Sequence, residues 1–170
     1  MEKKNLIKVI AFNAIIAACY YVLSLPFGEL NYGAINFRIS EVFIILALYN
    51  KKFIPGLVLG CFLVNITSIL PLDMLVGTLQ TLVACLILTF SKSKLEKINF
   101  KYILKEQIGV ILAALSCGII IGAELYFYYE GSLFYHMISV FASELIILEV
   151  GYILWILLFK NLTIKKYLTD

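Results

Sequence analysis

Polar positions are sparse along this chain, and they fall in clusters that cut it into apolar runs. Each run has the length of a helix. The first, from about Leu6 to Leu25, stops at Pro26. A polar stretch from Phe27 to Phe37 follows, and a shorter apolar run begins near Asn36 to Ile39 and ends at Asn50-Lys51-Lys52. The pattern then predicts helices from about Phe53 to Leu70, Pro71 to Phe90, Lys105 to Tyr129 and Phe134 to Phe159. Pro55 and Pro71 sit in first turns and Pro26 sits at an end, where a missing N–H costs little. The second run is short for a bilayer crossing, so its flanks complete the span or it is partly re-entrant. No repeat, linker or low-complexity stretch interrupts the series.

Composition decides the solvent of these helices. Of 170 residues, 62% are hydrophobic and 15% charged, with a mean hydropathy of +0.98. Soluble domains are about 45–50% apolar and about 25% charged, and a chain this small could not hide so much apolar surface from water. The expectation is a single all-α membrane domain over residues 1–170 with six transmembrane helices. Met1 to Lys8 leads straight into the first run and reads as part of a retained span, not a cleaved signal.

Charge sets orientation. All thirteen lysines lie at the N-terminus, in the loops after the second, fourth and sixth runs, or in the tail; Arg38, the one arginine, falls on the other side. The positive-inside rule then puts both termini in the cytoplasm of a plasma-membrane protein. The net charge of +3 is a signature of orientation; a nucleic-acid surface would gather its charge on a soluble face. Acidic residues distribute the opposite way, giving a polar outer half and an apolar inner half fringed by lysine.

The stretch from Glu29 to Glu41 gathers two carboxylates, two asparagines, two aromatics and Arg38. Arg38 and Glu41, at i and i+3, could pair with one another. Glu124 and Glu144 lie within helices with no basic residue at their depth in sequence terms. A buried carboxylate there is protonated or awaits a ligand that donates hydrogen bonds. Glu149, deeper, reads as a residue bonding helix to helix. Asp73, Gly77 and Gln80 fall at i, i+4 and i+7 with Thr81 beside them, and Asn65 and Thr67 end the third run; interhelical hydrogen bonding and ligand contact explain these equally. Most outer aromatics form an interfacial belt, and Tyr126 and Tyr128, beside Glu124, are candidate stacking faces. Ala11, Ala14 and Ala18 share a face of the first helix, while Gly56-x-x-x-Gly60 and Gly118-x-x-x-Gly122 mark close backbone approach.

Other chemistry is excluded. Cys19, Cys61, Cys85 and Cys117 form no C-x-x-C pair and read as small packing residues. His136, the one histidine, reads as interfacial. No metal-ligand cluster, nucleophilic triad or nucleotide-binding glycine loop is present. The expectation is a protein with no catalytic residues, no metal and no cofactor.

Five segments carry a resemblance. Phe37–Glu41 (FRISE), Gly56–Asn65 (GLVLGCFLVN), Asp73–Leu82 (DMLVGTLQTL), Gly122–Leu125 (GAEL) and Ser139–Glu144 (SVFASE) together resemble the QueT-type proteins. These are substrate-binding S components of energy-coupling factor transporters, assigned to queuosine precursors. Asn36 and Cys117 depart from the family pattern, which has glutamine and asparagine there. The resemblance implies a six-helix bundle binding a small molecule near the outer surface under the loop between helices 1 and 2. It implies partners too: a membrane coupling subunit met by Ala11, Ala14 and Ala18, and two ATPase subunits. The substrate it implies is a 7-deazaguanine, either queuine or a 7-aminomethyl or 7-cyano precursor. Glu144 or Glu124 would accept from the N1–H and 2-amino group, a second carboxylate would meet an aminomethyl cation, and Asn65, Gln80 or Arg38 would donate to O6. Glu41, Tyr126 and Tyr128 complete the candidate site. A vitamin-binding S component, a self-contained secondary carrier and an accessory membrane protein are the alternatives.

Overall fold

The computed structural model describes residues 2–27, 36–68, 70, 72–95 and 102–159. It contains α1 (Glu2–Ser24), α2 (Leu46–Tyr49), α3 (Ile54–Asn65), α4 (Asp73–Leu95), α5 (Tyr102–Tyr128) and α6 (Leu133–Phe159), with 3₁₀ turns at Leu25–Phe27, Ile39–Phe43 and Lys51–Phe53. No strand occurs among the described residues. The expected loop over the ligand (28–35), the basic loop beyond residue 95, Pro71 and the tail from 160 lie outside the described residues.

Four helical stretches, Leu6–Phe27, Asp73–Lys92, Glu106–Tyr128 and Leu133–Leu158, are long and apolar enough to cross a bilayer. They leave many large aliphatics bare, among them Ile10, Leu79, Ile119 and Ile153. Lipid contact accounts for that surface, and the protein is a multi-pass membrane protein.

The second and third apolar runs differ from expectation. Ile39–Tyr49 is not one α-helix; it starts as a 3₁₀ segment, with Glu41 N–H donating to Arg38 O at 3.0 Å and Ile44 N–H to Glu41 O at 2.9 Å. Ser40, Glu41 and Ile44 through Leu48 are all buried, so this segment runs through the interior. Gly151 of α6 makes room for it: a Cβ there would lie 2.7 Å from Val42 O. α3 stops at Asn65, five residues early. Thr67 Oγ1 donates to Val64 O at 2.7 Å, and Ser68 N–H to Asn65 O at 3.1 Å, so polar groups close the last turn. Its 12 residues span about 18 Å, short of a bilayer core of about 30 Å.

Small residues set the helix contacts as their spacing suggested. A Cβ on Gly60 would lie 2.7 Å from Tyr20 Cβ of α1, and one on Gly122 would lie 2.6 Å from Met137 Cα of α6. Asn13 of α1 caps α3, its Oδ1 accepting from Gly56 N–H at 2.6 Å while Nδ2 donates to Lys52 O at 2.9 Å.

Two apolar clusters result. The larger includes Tyr20, Ile45, Leu57, Leu88, Val110 and Leu148; the smaller comprises Leu70, Cys117, Ile121, Leu125 and Val140. The polar positions of α4 and α6, Asp73 to Thr81 and Ser143 with Glu144, fall between them, while Glu124 of α5 lies beside Ile121 and Leu125 of the smaller one. The half expected to lie on the inner side holds a buried polar pair: Tyr152 Oη donates to Glu106 at 2.8 Å. Gln107 Nε2 donates to Glu149 at 3.2 Å, the helix-to-helix role foreseen for Glu149.

Candidate functional site

The polar layer is assembled by five elements. The segment 36–43 supplies Asn36, Arg38 and Glu41; α3 supplies Cys61 and Asn65; α4 supplies Asp73, Gly77, Gln80 and Thr81; α5 supplies Ser116, Cys117 and Glu124; α6 supplies Ser143 and Glu144. All but Ser116 are buried.

Arg38 is at its centre. Its Nη2 donates to both oxygens of Asp73, at 2.6 and 2.7 Å. Asp73 opens α4, where the helix dipole also favours a negative charge. The ion pair therefore joins residues 35 apart in sequence, where i, i+3 spacing had suggested Glu41. Gly77, one turn along from Asp73, holds the space: a Cβ there would come to 2.6 Å from Asn65 Nδ2, 2.7 Å from Asp73 Oδ1 and 3.1 Å from Arg38 Nη1.

Cys61 is a polar hub, not a packing residue alone. Its sulfur accepts from Thr81 Oγ1 at 3.0 Å, Asn65 Nδ2 at 3.3 Å and Arg38 Nη1 at 4.0 Å. Cys61 and Asn65 stand at i and i+4, so they share a face of α3, a signal present in the sequence and passed over. Ser116 was missed too; it accepts from Gln80 Nε2 at 3.2 Å.

Glu41 and Glu144 are buried neighbours in this layer. Donor atoms of Glu41, Cys117 and Glu144 lie within 4.8 Å of one another. A metal ion taking mixed oxygen and sulfur donors could be held at that spacing. Cys117, like Cys61, is thus drawn into the polar layer. Arg38 is near enough to interact electrostatically with both Glu144 and Glu124. The expectation that these carboxyls lack a cation at their depth is corrected: the segment carrying Arg38 is folded into the bundle.

Three buried acceptors in this layer have no hydrogen-bond donor among the described residues: Asn65 Oδ1, Gln80 Oε1 and Glu124 Oε1. Each such group costs about 1–3 kcal/mol if left so. Asn36 adopts φ +46°, a conformation asparagine tolerates better than other non-glycine residues. Its carbonyl accepts from Ser143 Oγ at 3.4 Å.

Tyr126 and Tyr128 are exposed; two residues beyond Glu124, Tyr126 falls on the opposite face of α5, while Tyr128, one turn on, shares the face of Glu124. His136 is fully buried, not interfacial. The turn before α6 folds over it, with Gly131 at φ +134° and a Cβ there 3.0 Å from His136 Nε2. Neither ring nitrogen has a hydrogen-bond partner among the described residues.

Over 85 residues the chain is 38% identical to the queuosine precursor transporter QueT of Lactococcus lactis subsp. cremoris (strain MG1363). That match covers 49% of this chain and 50% of the other, so the chain spans about half the length of the curated relative it matches. No solved structure matches. The model of the QueT transporter family matches residues 10–160, and on that extent the chain belongs to the QueT transporter family, a family of transporters and not of enzymes.

Proposed function

We propose that this chain is the substrate-binding S component of an energy-coupling factor importer, and that its cargo is a queuosine precursor, a 7-deazaguanine. The observation that carries the reading is the set of buried acceptors, Asn65 Oδ1, Gln80 Oε1 and Glu124 Oε1, left without donors around an arginine already joined to Asp73. Such groups are stabilised by a ligand rich in N–H. A 7-deazaguanine offers N1–H and a 2-amino group on one edge and an aminomethyl cation on the 7-arm. The name of the Lactococcus lactis relative, matched over half of its length, supports the same class.

In this reading Glu144 accepts from the purine edge and Glu124 faces the arm, while Arg38, Glu41, Asn65 and Gln80 complete the wall. The molecule is a single domain in the plasma membrane. The segment 39–49 and α3, with their flanks, supply two further crossings beside the four long helices, making six with both termini cytoplasmic. Ala11, Ala14 and Ala18, all exposed on α1, meet the coupling subunit, which two ATPase subunits drive. No cofactor or nucleic acid takes part.

The test is thermal unfolding of the purified chain with queuine, the two 7-deazaguanine precursors, guanine, riboflavin, thiamine and biotin. A ligand at about 100 times its Kd stabilises by about 2.7 kcal/mol. A shift with deazaguanines alone supports the assignment. A shift with a vitamin alone rejects the substrate, and accumulation of the deazaguanine by cells lacking ATPase subunits rejects the importer class.

A further inference from the structure

Two side-chain amides stand in the polar layer, and both are tied to the protein by the same end. Asn65 donates from Nδ2 to Cys61 Sγ at 3.3 Å, and Gln80 donates from Nε2 to Ser116 Oγ at 3.2 Å. The two ends of an amide are nearly identical in shape, so the neighbours decide which atom points where. Here the neighbours leave one choice. Ser116 has a single hydroxyl proton, and it goes to Ala113 O at 2.8 Å. Cys61 has a single thiol proton, and it goes to Gly77 O at 3.6 Å. Thr81 Oγ1 and Arg38 Nη1 also donate to that sulfur, at 3.0 and 4.0 Å. With those protons placed, Cys61 and Ser116 meet the amides only as acceptors. Each amide therefore turns its nitrogen to its anchor and its oxygen away. Those oxygens, Asn65 Oδ1 and Gln80 Oε1, are buried and have no donor among the described residues.

We propose that Cys61 and Ser116 are positioning residues for the ligand. They lock Asn65 and Gln80 with the oxygen toward the bound molecule, and so tune this part of the wall to N–H groups. The proposal rests on the deazaguanine reading above and assigns the specificity of that site to the two anchors. Each amide keeps a second N–H, but that hydrogen stays on the anchored nitrogen, and the oxygen occupies the opposite end. A 7-deazaguanine suits such a wall. Beyond N1–H and the 2-amino group it carries N9–H. A ligand with a lone pair in place of one of these N–H groups would set acceptor against acceptor. A free amide would relieve that by turning its nitrogen round. The lock opposes the turn, because it would leave an amide oxygen against a sulfur or hydroxyl oxygen whose proton is already given elsewhere.

Wild type, C61A, C61S, S116A and S116T are compared in detergent as full chains, and ligand-free unfolding shows which variants fold. Serine at position 61 and threonine at position 116 keep both the proton for the backbone carbonyl and the acceptor for the amide; alanine keeps neither. Calorimetry gives the Kd of 7-aminomethyl-7-deazaguanine and of two analogues. One lacks the 2-amino group, and the other has a ring oxygen in place of N9–H. Wild type discriminates against at least one analogue by about 100-fold or more, because a buried acceptor is then left unpaired. In C61A or S116A that discrimination falls at least about tenfold, since the freed amide turns to suit the analogue. C61S and S116T keep it within about threefold of wild type. Two results overturn the lock while leaving the substrate standing. One is a wild type that binds both analogues within a few-fold of the parent. The other is folded C61A and S116A that weaken parent and analogues by the same factor, as a purely structural role would. A folded wild type that binds no deazaguanine overturns the substrate reading and the lock with it.

Discussion

Arg38 donates from one nitrogen to both carboxylate oxygens of Asp73, and the pair is sealed from solvent, with side chains 4% and 1% exposed. It joins the segment after α1 to the start of α4, so it is a tertiary clamp as well as a charge pair. Removing one member of a buried pair strands the other, at a cost of about 3–5 kcal/mol. Asp73→Asn is expected to lower the unfolding temperature markedly and Arg38→Met to do the same. The double variant should cost less than the two added together. Thermal unfolding of all four proteins measures the coupling, and strict additivity would mean the pair holds nothing together.

Gly77 carries a sharper steric prediction. Its missing side chain is the room in which Asn65, Asp73 and Arg38 meet, and a methyl group there would lie 2.6–3.1 Å from atoms of all three. Alanine is ordinarily the better helix former by about 1 kcal/mol. Here Gly77→Ala is expected to destabilise by about 1–3 kcal/mol, as overpacking does, and to weaken ligand binding, because Arg38 and Asn65 must move. A stabilised Gly77→Ala variant would mean that the polar layer is looser than its geometry.

How much of this could be read beforehand follows from where each interaction closes. The stripe of Asp73, Gly77 and Gln80 was legible because i, i+4 and i+7 lie on one face of any helix. The glycine pairs were legible for the same reason, and α1 and α6 do pack there. Arg38 with Asp73 and Glu41 with Glu144 were not, because those partners sit on different elements and local spacing offered Arg38 only Glu41. The break at Ile39–Phe43 left no trace, since a segment buried on every side shows no hydrophobic period. His136 looked interfacial because it stands near the end of an apolar run; only the fold of the Gly131 turn over its ring shows it enclosed.

Asn13 tests how α3 is held despite its shortness. Its side chain accepts from Gly56 N–H and donates to Lys52 O, so one α1 residue satisfies two backbone groups at the start of α3. Asn13→Ala is expected to cost about 1 kcal/mol, the usual value of a lost helix cap. Asn13→Asp, which keeps the acceptor and drops the amide donor, should recover part of it. Unfolding temperatures in the same detergent report both, and equal losses would assign the stabilisation to the Lys52 contact alone.

The alanine face separates binding from transport. Ala11, Ala14 and Ala18 are exposed on α1, while Ile16, Ala17 and Tyr20 turn inward and are buried. The face away from the bundle thus carries a row of small side chains among the larger Ile7, Ile10, Ile15 and Val22, and small side chains let another helix approach closely in a membrane. If that helix belongs to the coupling subunit, Ala14→Trp with Ala18→Trp should leave ligand-induced stabilisation of the isolated chain near wild type. Uptake of labelled deazaguanine by cells carrying the whole importer should fall about tenfold or more, a loss of at least about 1.4 kcal/mol of association free energy. Copurification of the variant with the coupling subunit is the direct measurement. Undiminished copurification and uptake would move the interface to another face and return these alanines to the lipid.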